Sequence, residues 1–477
     1  MRDNPALAGA DRVLLVESRA MLARRRLHRR RAHLVLTGMR RLAAELRADG
    51  VEVVERRAAA SLSEGLRGFG DVVCAAPNSA GARVALEALG VRLVDSNQFL
   101  MAPEAFAAWA EGRRRLVMED FYREQRVRHG VLLDADGGPE GGRWNFDAEN
   151  RRPPAAGLEA PDPWRPQEDD VDAEVRADLD RADLGLWGED GPRRFAVTPK
   201  EAQSALRSFV AGRLPEFGPW QDAMVPGQRV LFHSLLSVPL NLGVLEPLRA
   251  VEAAERAYRR GDVPLASAEG FVRQVIGWRE YVWGMYWLRR DRWPRRNALR
   301  ARAALPAAYH GAETGWNCLD SVVAGVRRDG YAHHIERLMV LGNVGLIAGI
   351  EPWALVRWFQ DSFVDGAEWV MAPNAAGMAL FADGGEMMTK PYAAGGNYVK
   401  RMSGFCGDCR YSPNERTGER ACPLTALYWD FVGRHAGTLR DNRRMQMAVR
   451  TLERFDAGER DLIGARAREA RRELRGV

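Results

Sequence analysis

"ASAEGFVRQVIGWREYVWGMYWLRR", residues 266–290, is an unbroken helical pattern without a proline, and the rest of the chain is read outward from it. The same periodicity recurs in "PKEAQSALRSFVAGRL" (199–214), "AHHIERLMVLGNVGLIAGI" (332–350) and "PWALVRWFQDSFV" (352–364), which predicts an all-α domain over 191–477. Upstream the pattern changes. Short β-branched runs, "RVLLVE" (12–17), "VEVVER" (51–56), "DVVCAA" (71–76) and "VRLVDS" (91–96), alternate with helical stretches such as "AHLVLTGMRRLAAELRA" (32–48) and "ARVALEAL" (82–89). Alternation of this kind predicts an α/β domain over 1–133 with a parallel sheet covered by helices. Between the two, from 134 to 190, the composition turns to Gly, Pro, Asp and Glu, as expected of a connector lying on the surface.

With 477 residues the chain exceeds a single core, which agrees with two domains. No stretch reads as a signal peptide or a membrane span, and the expected setting is the cytoplasm, where thiols stay reduced. There is no GxGxxG or GxxxxGK[ST] loop to cradle phosphates. The net charge of +6 is weak evidence for a polyanionic partner. Only three of the 70 basic residues are lysines, Lys200, Lys390 and Lys400, and the last two flank "PYAAGGNYV".

Four of the five cysteines suggest a metal centre. Cys406 and Cys409 form a CxxC, Cys422 follows with Pro423 behind it, and Cys318 lies in "GWNCLDSVV". Four thiolates suit either tetrahedral zinc or an iron–sulfur cluster, and a single CxxC with a Cys-Pro leans towards [4Fe-4S]. Cys74, in an apolar run, reads as core. Most of the 14 tryptophans read as core of the helical half.

The motifs "MEDFYREQR" (118–126), "GGRWNFDAENR" (141–151), "EGFVRQVIGWREY" (269–281), "YAHHIERLM" (331–339), "FADGG" (381–385) and "TKPYAAGGNYVKRM" (389–402), with the cysteines, resemble the iron–sulfur bacterial cryptochrome and photolyase family, the prokaryotic (6-4) photolyases, along essentially the whole chain. The resemblance implies an α/β antenna domain, a helical FAD domain and a [4Fe-4S] cluster on Cys318, Cys406, Cys409 and Cys422. It implies a monomer that repairs UV-damaged DNA by electron transfer from light-excited, reduced FAD; a blue-light receptor of the same fold and an iron–sulfur nucleic-acid-binding module are the alternatives. Ser234, Leu235 and Leu236 match the segment that holds the FAD diphosphate. Arg337 and Asp365 match a pair beside the isoalloxazine, with Glu368 and Asn374 as further candidates at the flavin edge. Gln274 and Trp278 match the floor of the lesion pocket, and Tyr392 and Tyr398 match residues near the lesion. His333 and His334 are the candidate proton donors. Neighbours in a helix point about 100° apart, so only one of them, taken as His334, is expected to face the lesion, with His333 behind it.

Two departures from the family stand out. The chain begins downstream of the family's opening strand and "GDQL"-like turn, so one strand of the sheet is expected to be missing and the site for a 6,7-dimethyl-8-ribityllumazine antenna is put in question. Trp358 matches the proximal member of the photoreduction chain, but His310 stands where the next tryptophan is usual. The relay is therefore expected to stall unless Trp316 faces Trp358.

Overall fold

The computed structural model describes residues 4–476. Strand β1 (Arg12–Ser18) pairs in parallel with β2 (Glu52–Ala59), Val13 opposite Val53, and the crossover between them is the helix Arg29–Ala48. Strands β3 (Val73–Ala75) and β4 (Arg92–Val94) pair in parallel across the helix Ala80–Ala88, which Ser79 caps by accepting from the Ala82 N–H. Among the described residues no ladder joins the two pairs. The expected parallel sheet is therefore divided into two ladders of two strands each.

The segment read as a connector holds more structure than its composition suggests. Asp170–Ala182 is a helix started by a capping box, in which Asp169 and Asp172 exchange side-chain and backbone hydrogen bonds. Val175 and Leu179 pack on Ala32 and Leu36 of the crossover helix. Asp172 is fully buried and accepts from Arg193 Nε at 2.9 Å and Arg41 Nη2 at 2.7 Å. Burial alone would raise its pKa, but the two guanidinium groups outweigh it and hold the carboxyl below the usual range. Removing one member of such a buried set costs on the order of 3–5 kcal/mol.

The remainder is helical, and its core runs from Phe106 and Phe121 through Tyr281, Trp283 and Tyr309 to Leu424 and Phe431. Three helices are interrupted by π-helical turns: Arg273–Arg279, Arg337–Gly342 and Ala372–Ala379. A π turn shifts the side chains after it onto a new face of the helix, and such turns gather at functional sites. Here they carry Gln274 and Trp278, Arg337, and Asn374. No helix among the described residues is long and apolar enough to cross a membrane.

Candidate functional site

Arg337 opens the second π turn and is held on every side. Its Nη1 and Nη2 donate to the two carboxylate oxygens of Asp365 at 2.9 and 3.2 Å, and its Nε donates to the Ala332 carbonyl at 2.6 Å. The guanidinium lies 4.0 Å over the ring of Phe363. Asp365 is fixed in turn by Ser237 Oγ, which donates to Oδ2 at 2.8 Å. The chain leading to Ser237 is strained, with Leu231 at φ 48° and Leu235 at φ 60°. Ser234 Oγ accepts from the Leu236 N–H at 3.3 Å, whereas the N–H groups of Ser234 and Leu235 donate to no described residue. Backbone amides left without protein partners beside a left-handed residue can bind an anion. Amides for a diphosphate beside a rigid cation–carboxylate pair form a donor set that fits a flavin dinucleotide. Glu368 and Asn374 are not brought to this pair. Glu368 accepts from Tyr286 Oη at 2.8 Å, and Asn374 Nδ2 donates back to the Val370 carbonyl of its own helix at 2.9 Å.

The adjacent histidines do not behave as neighbours within a helix. His333 is an extended N-cap residue (φ −74°, ψ 166°) and the helix starts at His334, so the separation of about 100° does not apply. Both rings meet His233, which sequence reasoning missed. His333 stacks on it at 4.6 Å with planes 8° apart, and His334 Nδ1 lies 3.2 Å from His233 Nε2. His334 Nε2 lies 3.2 Å from Asp222 Oδ1, and His334 keeps 47% of its side chain exposed while His333 is buried.

Hydrogen-bond bookkeeping assigns the protons. The Val230 carbonyl can only accept, so His233 Nδ1, 3.0 Å away, carries a proton and His233 Nε2 accepts from His334 Nδ1–H. On its other side His334 Nε2 faces the Asp222 carboxylate. His233 stays neutral, its pKa lowered to about 3 by burial and then by the charge of His334. His333 is likewise pushed down by burial and by the other two histidines; neither of its ring nitrogens has a hydrogen-bond partner, and Nε2 lies 3.7 Å from Glu336 Oε2.

The Asp222 carboxyl ties further candidates to this mouth. Burial raises its pKa, but His334 outweighs that and holds it low. Arg151 Nε lies 3.9 Å from Asp222 and also pairs with Asp147, which Arg273 approaches to 3.7 Å. Next to Arg273, Gln274 is half-buried and bonds no described group, and Trp278 meets Tyr281 edge-on at 6.2 Å. Tyr392 and Tyr398 are half-buried, with both phenol pKa values raised: burial leads in each, and the charge of Asp222 adds to it. Both therefore remain O–H donors.

The four cysteines converge from three segments. Cys318 lies in the first turn of Asn317–Asp329, Cys406 and Cys409 lie in the loop after Gly396–Met402, and Cys422 caps Pro423–Arg434. They line one small cavity with Trp316, Val399, Phe405 and Tyr411. Gly396 permits the approach, since a Cβ there would lie 2.7 Å from Cys422 Sγ. Burial and then the other three sulfurs raise the Cys318 thiol; burial, Cys422 and Cys409 bring Cys406 up to about 11. Only a cationic centre would turn the set into thiolates. Four cysteine sulfurs suit either tetrahedral zinc or an iron–sulfur cluster. Cys74 stands apart in β3.

Trp358 is buried against Tyr309, Phe359 and Phe363, the last of which carries Arg337 on its face. Trp316 is elsewhere: it donates to Glu473 at 2.6 Å and lines the cysteine cavity.

A small parallel α/β domain joined to a helical domain with an anion cradle and an Arg–Asp pair defines a photolyase-type flavoprotein. The family model described as deoxyribodipyrimidine photo-lyase-related protein matches residues 1–195. A curated protein of Agrobacterium fabrum named (6-4) photolyase is 39% identical over 495 residues, covering 98% of this chain and 96% of its own. A crystal structure of a bacterial class III photolyase from Agrobacterium tumefaciens superposes with a TM-score of 0.56 at 18% identity, covering 98% of this chain and 95% of its own, and so supports the fold alone. The chain belongs to the photolyase-related family that includes the bacterial (6-4) photolyases.

The lowered pKa values give a spectroscopic expectation. Imidazole resonances of His233 and His333 should show no titration between about pH 5 and 8, where an ordinary histidine changes charge. A histidine-selective NMR titration checks this, and a midpoint near neutrality for His233 would contradict the proton assignment.

Proposed function

We propose that this protein repairs UV-induced (6-4) pyrimidine photoproducts in DNA by light-driven electron transfer from reduced FAD, as a cytoplasmic monomer. The observation that carries the proposal is the full-length identity of 39% to a (6-4) photolyase, in a chain whose mouth displays a hydrogen-bonded proton donor. When bound in its reduced form and excited by blue light, FAD supplies one electron to the lesion and takes it back after the bonds have rearranged.

The protein's own groups bind and protonate. The Ser234 and Leu235 amides, with Leu236 beside them, hold the diphosphate; Arg337 offsets negative charge on the ring system, and Asp365 keeps that cation in place. His334 holds a transferable proton beside Asp222, and neutral His233 fixes the ring that delivers it. His333, stacked behind, keeps water from that side. Tyr392 and Tyr398 offer phenol protons, Gln274 offers a free amide to a base edge, and Trp278 offers a ring for stacking on an extruded base. Lys390, Lys400 and the surrounding arginines meet phosphates. A light receptor would have no use for a half-exposed imidazole held between a carboxylate and a second imidazole at the mouth. Glu368 and Asn374 remain candidates for the flavin edge only if the flavin itself draws them from their present partners.

For the cysteines we propose a [4Fe-4S] cluster held by Cys318, Cys406, Cys409 and Cys422. What supports it is the convergence of four thiols in one apolar cavity, with a single CxxC and a Cys-Pro in the sequence. To a lumazine antenna we assign no residue of the α/β domain.

His334→Ala should lower (6-4) repair by about 10²- to 10⁴-fold, the usual worth of a positioned acid, while the bound flavin spectrum stays as in the parent. Repair at the parental rate would overturn the assignment. Cys318→Ser should yield insoluble or iron-free protein on iron and sulfide analysis, whereas full iron content would remove Cys318 from the ligand set.

A further inference from the structure

His310 leaves a gap where the photoreduction route from Trp358 is expected to continue. We propose that Trp187, from the segment between the two domains, fills it: Trp187 is the surface terminus that returns an electron to Trp358 when oxidised flavin is photoreduced. This rests on the flavoprotein reading above.

Trp187 meets Trp358 with ring centroids 6.4 Å apart, within the range of aromatic contact, and meets His310 at 6.5 Å. Its position is fixed by the backbone. The Trp187 N–H donates to the Leu27 carbonyl at 3.1 Å, the Arg29 N–H donates to the Trp187 carbonyl at 2.8 Å, and the His28 N–H donates to the Asp361 carbonyl at 2.8 Å. Asp361 lies in Pro352–Ser362, the helix that carries Trp358. The His28 ring packs edge-on against Trp187 at 5.4 Å. Gly188, at φ 79°, is what lets the chain come so near, because a Cβ there would lie 2.2 Å from His28 Nε2.

The other rings nearby cannot do this work. Tyr309 is closer to Trp358, at 5.0 Å, but a phenol gives up an electron easily only if its proton leaves with it. The Tyr309 hydroxyl donates to the Leu341 carbonyl, which is no base, and burial holds its pKa up. Imidazole is much harder to oxidise than indole, which excludes His310. Trp316 is bound to Glu473 in the cysteine cavity.

The two indoles differ in the way a relay needs. Trp358 is buried and its Nε1–H has no partner, so after losing one electron to the photo-excited flavin it stays a radical cation with no route for its proton. One electron then passes from Trp187 to Trp358, which is restored. Trp187 is half-buried, so its radical cation releases the Nε1 proton to water. The resulting neutral radical is reduced by an external thiol, and the net result is one electron left on the flavin.

Two measurements on the flavin-loaded protein test this. In transient absorption of oxidised protein, the parent should show a long-lived neutral tryptophan radical, Trp187→Phe should lose it to fast recombination, and Trp187→Phe with His310→Trp should regain it. After illumination in air without thiol, peptide mass spectrometry of the parent should find oxygenated Trp187; this second readout needs no variant to fold. An undiminished radical in Trp187→Phe, or oxidation found at Tyr309 or Trp316 instead, would overturn the proposal. Repair by chemically pre-reduced parent protein, assayed alongside, bypasses the relay, so its failure would count against the repair function and not against Trp187.

Discussion

The bidentate pair between Arg337 and Asp365 joins the three segments that surround the proposed flavin site. Asp365 follows the helix that carries Trp358, Arg337 opens a π turn directly after the histidines, and Ser237 brings in the strained stretch from Leu231 to Leu236. A half-buried guanidinium with every N–H direction set by Ala332, Asp365 and the face of Phe363 has little freedom left. Such a cation can offset negative charge without reorganising when the charge appears, which is where preorganised electrostatics is worth most.

Proton chemistry at the mouth follows from a short chain of acceptors. A carbonyl at Val230 sets the tautomer of His233, whose Nε2 faces His334 Nδ1, and Asp222 faces His334 Nε2. Burial lowers the pKa of His233 and His333, and His334 is the one ring of the three that reaches solvent. The cysteines stand outside this chemistry. They tie the loop after Met402 and the helix from Pro423 to the helix that begins at Asn317, a join that the side chain of Asn317 reinforces by donating to the Phe405 carbonyl at 2.8 Å.

Much of the fold was legible because its signals are local. Helical periodicity placed the second domain, the CxxC and the Cys-Pro named the metal candidates, and the resemblance carried by "YAHHIERLM" and the other motifs pointed to Arg337 and Asp365, which do pair. What escaped was set by contacts distant in sequence. His233 and His334 are 101 residues apart, and nothing in "HSLLS" marks the histidine as the partner of another ring. Asp222 is one acid among 64. Trp187 lay in a segment whose Gly and Asp content reads as linker, although a lone tryptophan between glycines there was a signal that could have been followed. The helix Asp170–Ala182 was hidden by its acidic residues, three of which serve its N-terminal cap and first turn. Alternating strands predicted a single sheet, but local patterns carry no information on which edges meet.

The central claim is that this site turns light into repair of one lesion type. Anaerobic protein with its flavin chemically reduced, mixed with an oligonucleotide bearing one thymine (6-4) photoproduct, tests it most directly when lesion loss is followed by chromatography in blue light and in darkness. The account predicts restored thymines in the light only. Intact lesion after illumination, with reduced flavin still bound, would contradict it.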